Sequence, residues 1–135
     1  MNNLYVVDTH TLLWYLVDDT RLGQLAGQIF DDKDSHLLLP AIALAEALFI
    51  LERRPMLYQL SANDVLSRVT ADGRITMIAL DYVTVAKTLE CMVIPEMHDR
   101  QIVATALLAQ TPETQVAILT RDENIQNCGL VQTLW

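Results

Sequence analysis

Leu4-Tyr5-Val6-Val7-Asp8-Thr9-His10-Thr11-Leu12-Leu13-Trp14 is the stretch whose reading decides the fold. Its apolar, β-rich start, Leu4 to Val7, ends abruptly in an aspartate, and a helical pattern begins at once. Leu12, Leu13, Leu16 and Val17 recur at i, i+1, i+4, i+5 spacing, one apolar face of a helix. A short strand apolar on both sides, feeding straight into a helix, belongs to a parallel sheet covered on both faces. Asp8 then stands at the carboxyl edge of a buried strand, where ligand and metal sites collect. Taken alone it reads equally as a ligand or as the cap of the helix that follows.

The same alternation runs through the chain. After the first helix, stopped by Asp18-Asp19, a second carries Leu22, Leu25, Ala26, Ile29 and Phe30 on its buried side and ends in the solvated tract Asp31-Asp32-Lys33-Asp34. His36 to Leu39 is the second strand, closed by Pro40, and Ala41 to Leu51 a helix apolar almost all round with Glu46 as its one interior charge. Glu52-Arg53-Arg54-Pro55 ends it, a connecting loop runs to Ser61, and Ser61 or Asn63 caps a short helix bearing Val65, Leu66 and Val69. Asp72-Gly73 introduces a third strand, Ile75 to Leu80. Asp81 opens a helix with Tyr82, Val85, Ala86, Leu89 and Val93 on one face. Ile94 to His98 reads as an irregular loop, and Asp99 starts a helix facing the core with Ile102, Val103, Ala106 and Leu107. Thr111 to Thr114 is a loop, Val116 to Leu119 a central strand, and Gly129 to Leu134 a short edge strand. Strands separated by helices give an α/β fold, a three-layer α/β/α sandwich around a mostly parallel sheet, with residues 1–135 as one domain.

Composition narrows the function. A net charge of −8 argues against non-specific nucleic-acid binding through a basic surface, but not against a nuclease that recruits metal ions to its acids. It also suits a basic protein partner. Cys91 and Cys128 have no metal or disulfide spacing and read as reduced thiols of a cytoplasmic protein. The start carries no secretory signal pattern, and the most apolar segment, Leu37 to Leu51, is broken by Pro40 and Glu46 and too short for a bilayer; no membrane association is expected.

The acids carry the chemistry. Asp8 and Asp122 follow buried strands directly, Glu46 lies in the second turn of the helix after the second strand, and Asp99 opens a helix. With right-handed crossovers all strand-to-helix junctions emerge at one sheet edge, so these four can meet. Unpaired, they would repel and protonate in part; a hard divalent cation relieves this, and oxygen-only ligands suit Mg²⁺ or Mn²⁺. Capping remains the other reading for Asp8 and Asp99, and a turn for Asp122. Glu46, isolated among Ala43, Leu44, Ala45, Ala47 and Leu48, needs either Arg53, Arg54 or another base as partner, or a metal.

Val6-Val7-Asp8-Thr9-His10-Thr11-Leu12-Leu13-Trp14 resembles the opening of the PIN domains, especially the VapC-type toxins. Asp8, Glu46, Asp99 and Asp122 match that family's Asp, Glu, Asp, Asp order. His98-Asp99-Arg100-Gln101-Ile102-Val103-Ala104-Thr105-Ala106-Leu107 is similar to its third motif, and Leu119-Thr120-Arg121-Asp122-Glu123-Asn124-Ile125 to its fourth. The resemblance implies Mg²⁺- or Mn²⁺-dependent cleavage of RNA phosphodiester bonds, with Asp8, Glu46, Asp99 and Asp122 as catalytic and metal-ligating residues. It further implies a small antitoxin partner and a homodimer. The residues speak against other functions. A haloacid-dehalogenase-like phosphatase needs a second acid two residues after the first, where this chain has His10 and later lacks an evident lysine. A catalytically inactive PIN-like binding module has no use for the clustered acids.

Around them, Thr120 reads as a donor that fixes Asp122 or as a capping hydroxyl. Arg53, Arg54, Arg100 and Arg121 are candidate phosphate contacts, His10 a phosphate contact or a cover for the helix start, and His98 a residue ordering the loop before Asp99. His36 and Trp14 read as structural.

Overall fold

The computed structural model describes residues 2–135. Five strands, β1 (Asn2–Val7), β2 (Leu37–Pro40), β3 (Ile75–Ile78), β4 (Thr114–Leu119) and β5 (Gln132–Leu134), pair in the order β3-β2-β1-β4-β5. Every neighbouring pair is parallel, so the sheet is wholly parallel. Helices flank it: α1 (Thr9–Leu16), α2 (Gln24–Asp31), α3 (Ala41–Arg53), α4 (Pro55–Tyr58), α5 (Ala62–Ala71), α6 (Tyr82–Lys87), α7 (Met97–Ala109) and α8 (Glu123–Gln126). The α/β/α expectation holds, and so does its physical reason. Val6, Val7, Leu37, Leu39, Ile118 and Leu119 are fully buried, as strands covered on both faces must be. Among the described residues no helix is long and apolar enough to cross a membrane.

The chain leaves β1 toward β2 and β3 on one side and later returns to β4 and β5 on the other. The order therefore reverses between β1 and β4, the position at which parallel sheets open a crevice outside their carboxyl ends. Val7 is in register with Leu119, which sets Asp8 and Thr120 side by side at that crevice. α7 packs against β1 and β4 and also against α3, bringing its first turn to the same edge.

Several elements differ from the sequence reading. The stretch after Arg54 is not all loop: Pro55 starts the short α4, which buries Tyr58. Ser61, not Asn63, caps α5, in a capping box with Asp64, and Leu66 faces solvent while Val65 and Val69 are buried. β3 stops at Ile78 rather than Leu80. The largest departure is α6. Asp81 caps it through Thr84, as expected of an aspartate there, but the helix lasts only to Lys87 and tightens into a 3-10 turn over Thr88–Cys91. Its apolar stripe points outward: Tyr82, Leu89 and Val93 are 84%, 74% and 66% exposed, whereas Thr84, Cys91 and Ile94 are buried. Periodicity finds an apolar face but cannot say what covers it.

Candidate active site

Asp8 closes β1 and caps α1, its Oδ1 accepting from the Thr9 N–H at 2.7 Å. Across the register the Thr120 hydroxyl donates to Asp8 Oδ2 at 2.5 Å, and the same hydroxyl oxygen accepts from the Asp122 N–H at 3.0 Å. Thr120 thus ties the two strand ends together. It fixes Asp122 through backbone, and the carboxylate it grips is Asp8. Asp122 caps α8, with Oδ1 accepting from Asn124 N–H at 2.9 Å and Ile125 N–H at 3.2 Å. Capping and site geometry are therefore one and the same arrangement at both aspartates. Deep beneath them, the buried Thr11 hydroxyl donates to the Leu119 carbonyl at 2.7 Å and fastens α1 to β4.

Asp99 does not start its helix. Glu96 is the cap of α7, its Oε2 accepting from the Asp99 N–H at 2.9 Å, so Asp99 lies in the first turn, where the helix dipole favours a negative charge. Glu46 projects from α3 with its side chain 31% exposed, so it is not the deeply buried ion that the apolar sequence around it suggests. Neither Arg53 nor Arg54 pairs with it; the nearest base is His98, whose Nδ1 is 3.9 Å from Glu46 Oε2 and 3.0 Å from Glu96 Oε1.

Asp8, Glu46, Asp99 and Asp122 line one cleft of about 500 Å³, together with Thr120 and Arg121. Among the described residues no arginine or lysine forms an ion pair with any of the four. The consequence shows in proton affinity. Burial, then the charges of Asp122 and Asp8, push Asp99 up to about 7. Burial also raises Asp8, against the hydrogen bonds from Thr120 and Thr9 that favour its ionised form. The carboxylates share the cleft without closing on a point: among the described residues no three His, Cys, Asp or Glu side chains form a ready coordination cluster. The donor set is nonetheless all oxygen, anionic and unneutralised, which fits a hard divalent cation better than any softer group.

Other residues take clearer positions. The Arg100 guanidinium donates to the Ile94 carbonyl at 2.5 Å and the Met92 carbonyl at 3.3 Å, holding the segment that leads to α7. Trp14 is buried, as expected, and also forms part of the cleft wall, with the Arg121 guanidinium 4.8 Å and that of Arg21 4.9 Å from its ring. His10 packs at 5.6 Å from Trp14. His36 is exposed, and its carbonyl accepts from the Tyr5 N–H at 3.0 Å. Glu96 and Asn124 also line the cleft and were not picked out from sequence. Glu96 stands three residues before Asp99 and ahead of a helical pattern, a capping spacing, but glutamate is an uncommon cap and so gives little signal.

Residues 5–129 match the family model described as PIN domain. The chain belongs to the PIN domain family. Members of this family are generally nucleases, and the match sets the dehalogenase-like phosphatase aside. Solved structures agree on the fold of this PIN domain. A chain of a toxin-antitoxin complex from Klebsiella pneumoniae superposes with a TM-score of 0.61 at 15% identity, covering 94% of each chain. The T. brucei RRP44 PIN domain gives a TM-score of 0.50 at 12% identity, covering 98% of this chain and 76% of that one. No curated protein is matched by the sequence.

Proposed function

We propose that this PIN domain is a Mg²⁺- or Mn²⁺-dependent ribonuclease of the VapC type, the cytoplasmic toxin of a toxin-antitoxin pair. The observation that carries the reading is the gathering of Asp8, Glu46, Asp99 and Asp122 in one cleft at the carboxyl edge of the sheet. Asp8, Asp99 and Asp122 would hold the cation directly, and Glu46 would bind it or orient the attacking water. When bound, such a cation supplies Lewis-acid charge at the phosphate and the departing oxygen. The chain's own contribution is positioning. Thr120 keeps Asp8 and the start of α8 at fixed separation, Glu96 holds the first turn of α7, and Trp14 carries the Arg121 guanidinium at the cleft wall within reach of a phosphate.

The partners follow the same reading. An antitoxin is supported by family membership together with likeness in fold to a chain from a toxin-antitoxin complex. A second copy of this chain is supported by the run of exposed apolar residues Tyr82, Val83, Leu89, Met92 and Val93 along α6 and the turn after it.

The test is RNA cleavage by protein freed of any partner. Activity appears with Mg²⁺ or Mn²⁺, is lost in EDTA, and falls at least about 100-fold in Asp8→Asn. Cleavage that survives both EDTA and Asp8→Asn would overturn the reading. RNA binding without cleavage under any divalent metal would instead favour an inactive binding module.

A further inference from the structure

The acidic cleft does not end at Glu46. A second cavity of about 580 Å³ adjoins it, and the two share His10, Glu46 and His98 as lining residues. One wall of this second cavity is a single stripe of α3. Phe49, Ile50 and Arg53 follow Glu46 at i+3, i+4 and i+7, so all four lie on the same side of the helix. With a rise of 1.5 Å per residue, Arg53 stands roughly 10 Å further along the axis than Glu46.

Two features of this stripe are unexplained by folding. Phe49 is 54% exposed in a helix whose buried residues are Ala43, Ala47 and Leu51. Leaving a phenylalanine largely in water forgoes burial that would stabilise the fold. The Arg53 guanidinium carbon lies 5.4 Å from the centre of the Phe49 ring, and among the described residues neither Arg53 nor Arg54 has an acidic partner. In a chain of net charge −8, an aromatic ring flanked by two unpaired arginines is a local reversal of sign. An aromatic face with guanidinium groups beside it is what stacks a nucleobase while its neighbouring phosphates are neutralised.

We propose that Phe49, with the Arg53 guanidinium over its ring, forms a stacking platform for an unpaired base of the RNA, adjoining the cleft that takes the scissile phosphate. The inference rests on the nuclease reading for its effect on cleavage, though not for its effect on binding. Arg54 contacts the backbone beside the stacked base. Because both faces of a base in a duplex are already covered by its neighbours, the platform serves single-stranded RNA and not paired RNA. The exposed position of Phe49 leaves the fold intact when it is changed.

The experiment measures fluorescence anisotropy of a labelled, unstructured RNA oligonucleotide in EDTA, alone and annealed to its complement, with steady-state cleavage in Mn²⁺ alongside. Phe49→Ala and Arg53→Gln each weaken binding of the single strand, Phe49→Ala by roughly tenfold, and Phe49→Trp restores it. Duplex affinity is unchanged by both Phe49 substitutions. In Mn²⁺ the Phe49→Ala change appears mainly as a raised KM with kcat nearly kept. Single-strand affinity and KM equal to the parent's in both Phe49→Ala and Arg53→Gln overturn the proposal, as does loss of affinity for a protein partner with RNA binding untouched. Phe49-dependent binding by a protein that cleaves nothing in Mn²⁺ upholds the platform and removes the nuclease reading instead.

Discussion

Thr120 shows how much one hydroxyl can organise. It donates to Asp8, accepts from the Asp122 backbone, and so joins the carboxylate at the end of β1 to the start of α8. The aspartates are thereby held close at a cost, which falls on Asp99. An aspartate ordinarily titrates near 3.8; here burial and its neighbours move it to about 7. Between those two values the folded, metal-free protein holds a proton that the unfolded chain has lost, so stability falls as pH rises through this window and stays lower above it. Asp99→Asn removes the penalty. In EDTA at pH 8 the variant should be more stable than the parent by about 1–2 kcal/mol, a figure reduced from the full shift for partial solvent exposure, with little difference at pH 3.5. Thermal unfolding at the two pH values checks it, and a variant no more stable at pH 8 contradicts the crowded-carboxylate account.

Among the elements, the turn into β3 is held by charge. Asp72 Oδ1 accepts from the Arg74 N–H and Nε, each at 3.0 Å, and its other oxygen accepts from the guanidinium at 2.9 Å. Arg74 also reaches the carbonyls of Phe30 and Asp32, stapling this turn to the end of α2. The guanidinium holds the Asp72 carboxyl below its usual range. That stability is present above an ordinary aspartate's pKa and is lost as pH falls through the depressed value. Asp72→Asn should cost about 1 kcal/mol at pH 7, small because the pair is partly exposed, and the difference from the parent should close in strong acid. Denaturant unfolding across pH measures this; an undiminished difference at low pH would assign the loss to something other than charge. What sequence reveals of elements follows the same physics. The buried ends of β1 and β4 are legible because a strand covered on both faces has to be apolar there, and α5 because Ser61 and Asn63 offer a cap ahead of Val65 and Val69; the box with Asp64 shows which of the two caps it. For α6 the sequence shows the apolar stripe but not its direction, because such a stripe has the same period whether it faces a core or open solvent.

At the scale of the whole molecule, topology makes the site. Reversal of strand order between β1 and β4 opens the crevice, and the crossovers deliver α3 and α7 to its rim. That convergence is readable in advance because Asp8 follows β1 directly and Asp122 comes just past β4, and a parallel sheet sends all such ends to one edge. Glu96, the Trp14–Arg121 contact and the groove beyond Glu46 were not readable, since each depends on how separate elements pack. The outward face of α6 carries its own prediction. Sedimentation velocity should find the parent as a dimer and Leu89→Glu as a monomer; a parent that stays monomeric at high concentration removes the second copy from the account.

In the proposed mechanism four carboxylates, none paired with an arginine or lysine among the described residues, share a divalent cation. Isothermal titration of Mn²⁺ into metal-free protein addresses it without reliance on any RNA. The parent should bind Mn²⁺, and Asp8→Asn, Asp99→Asn and Asp122→Asn should each weaken binding by about tenfold or more while remaining folded. Equal Mn²⁺ affinity in the parent and all three variants would contradict the account.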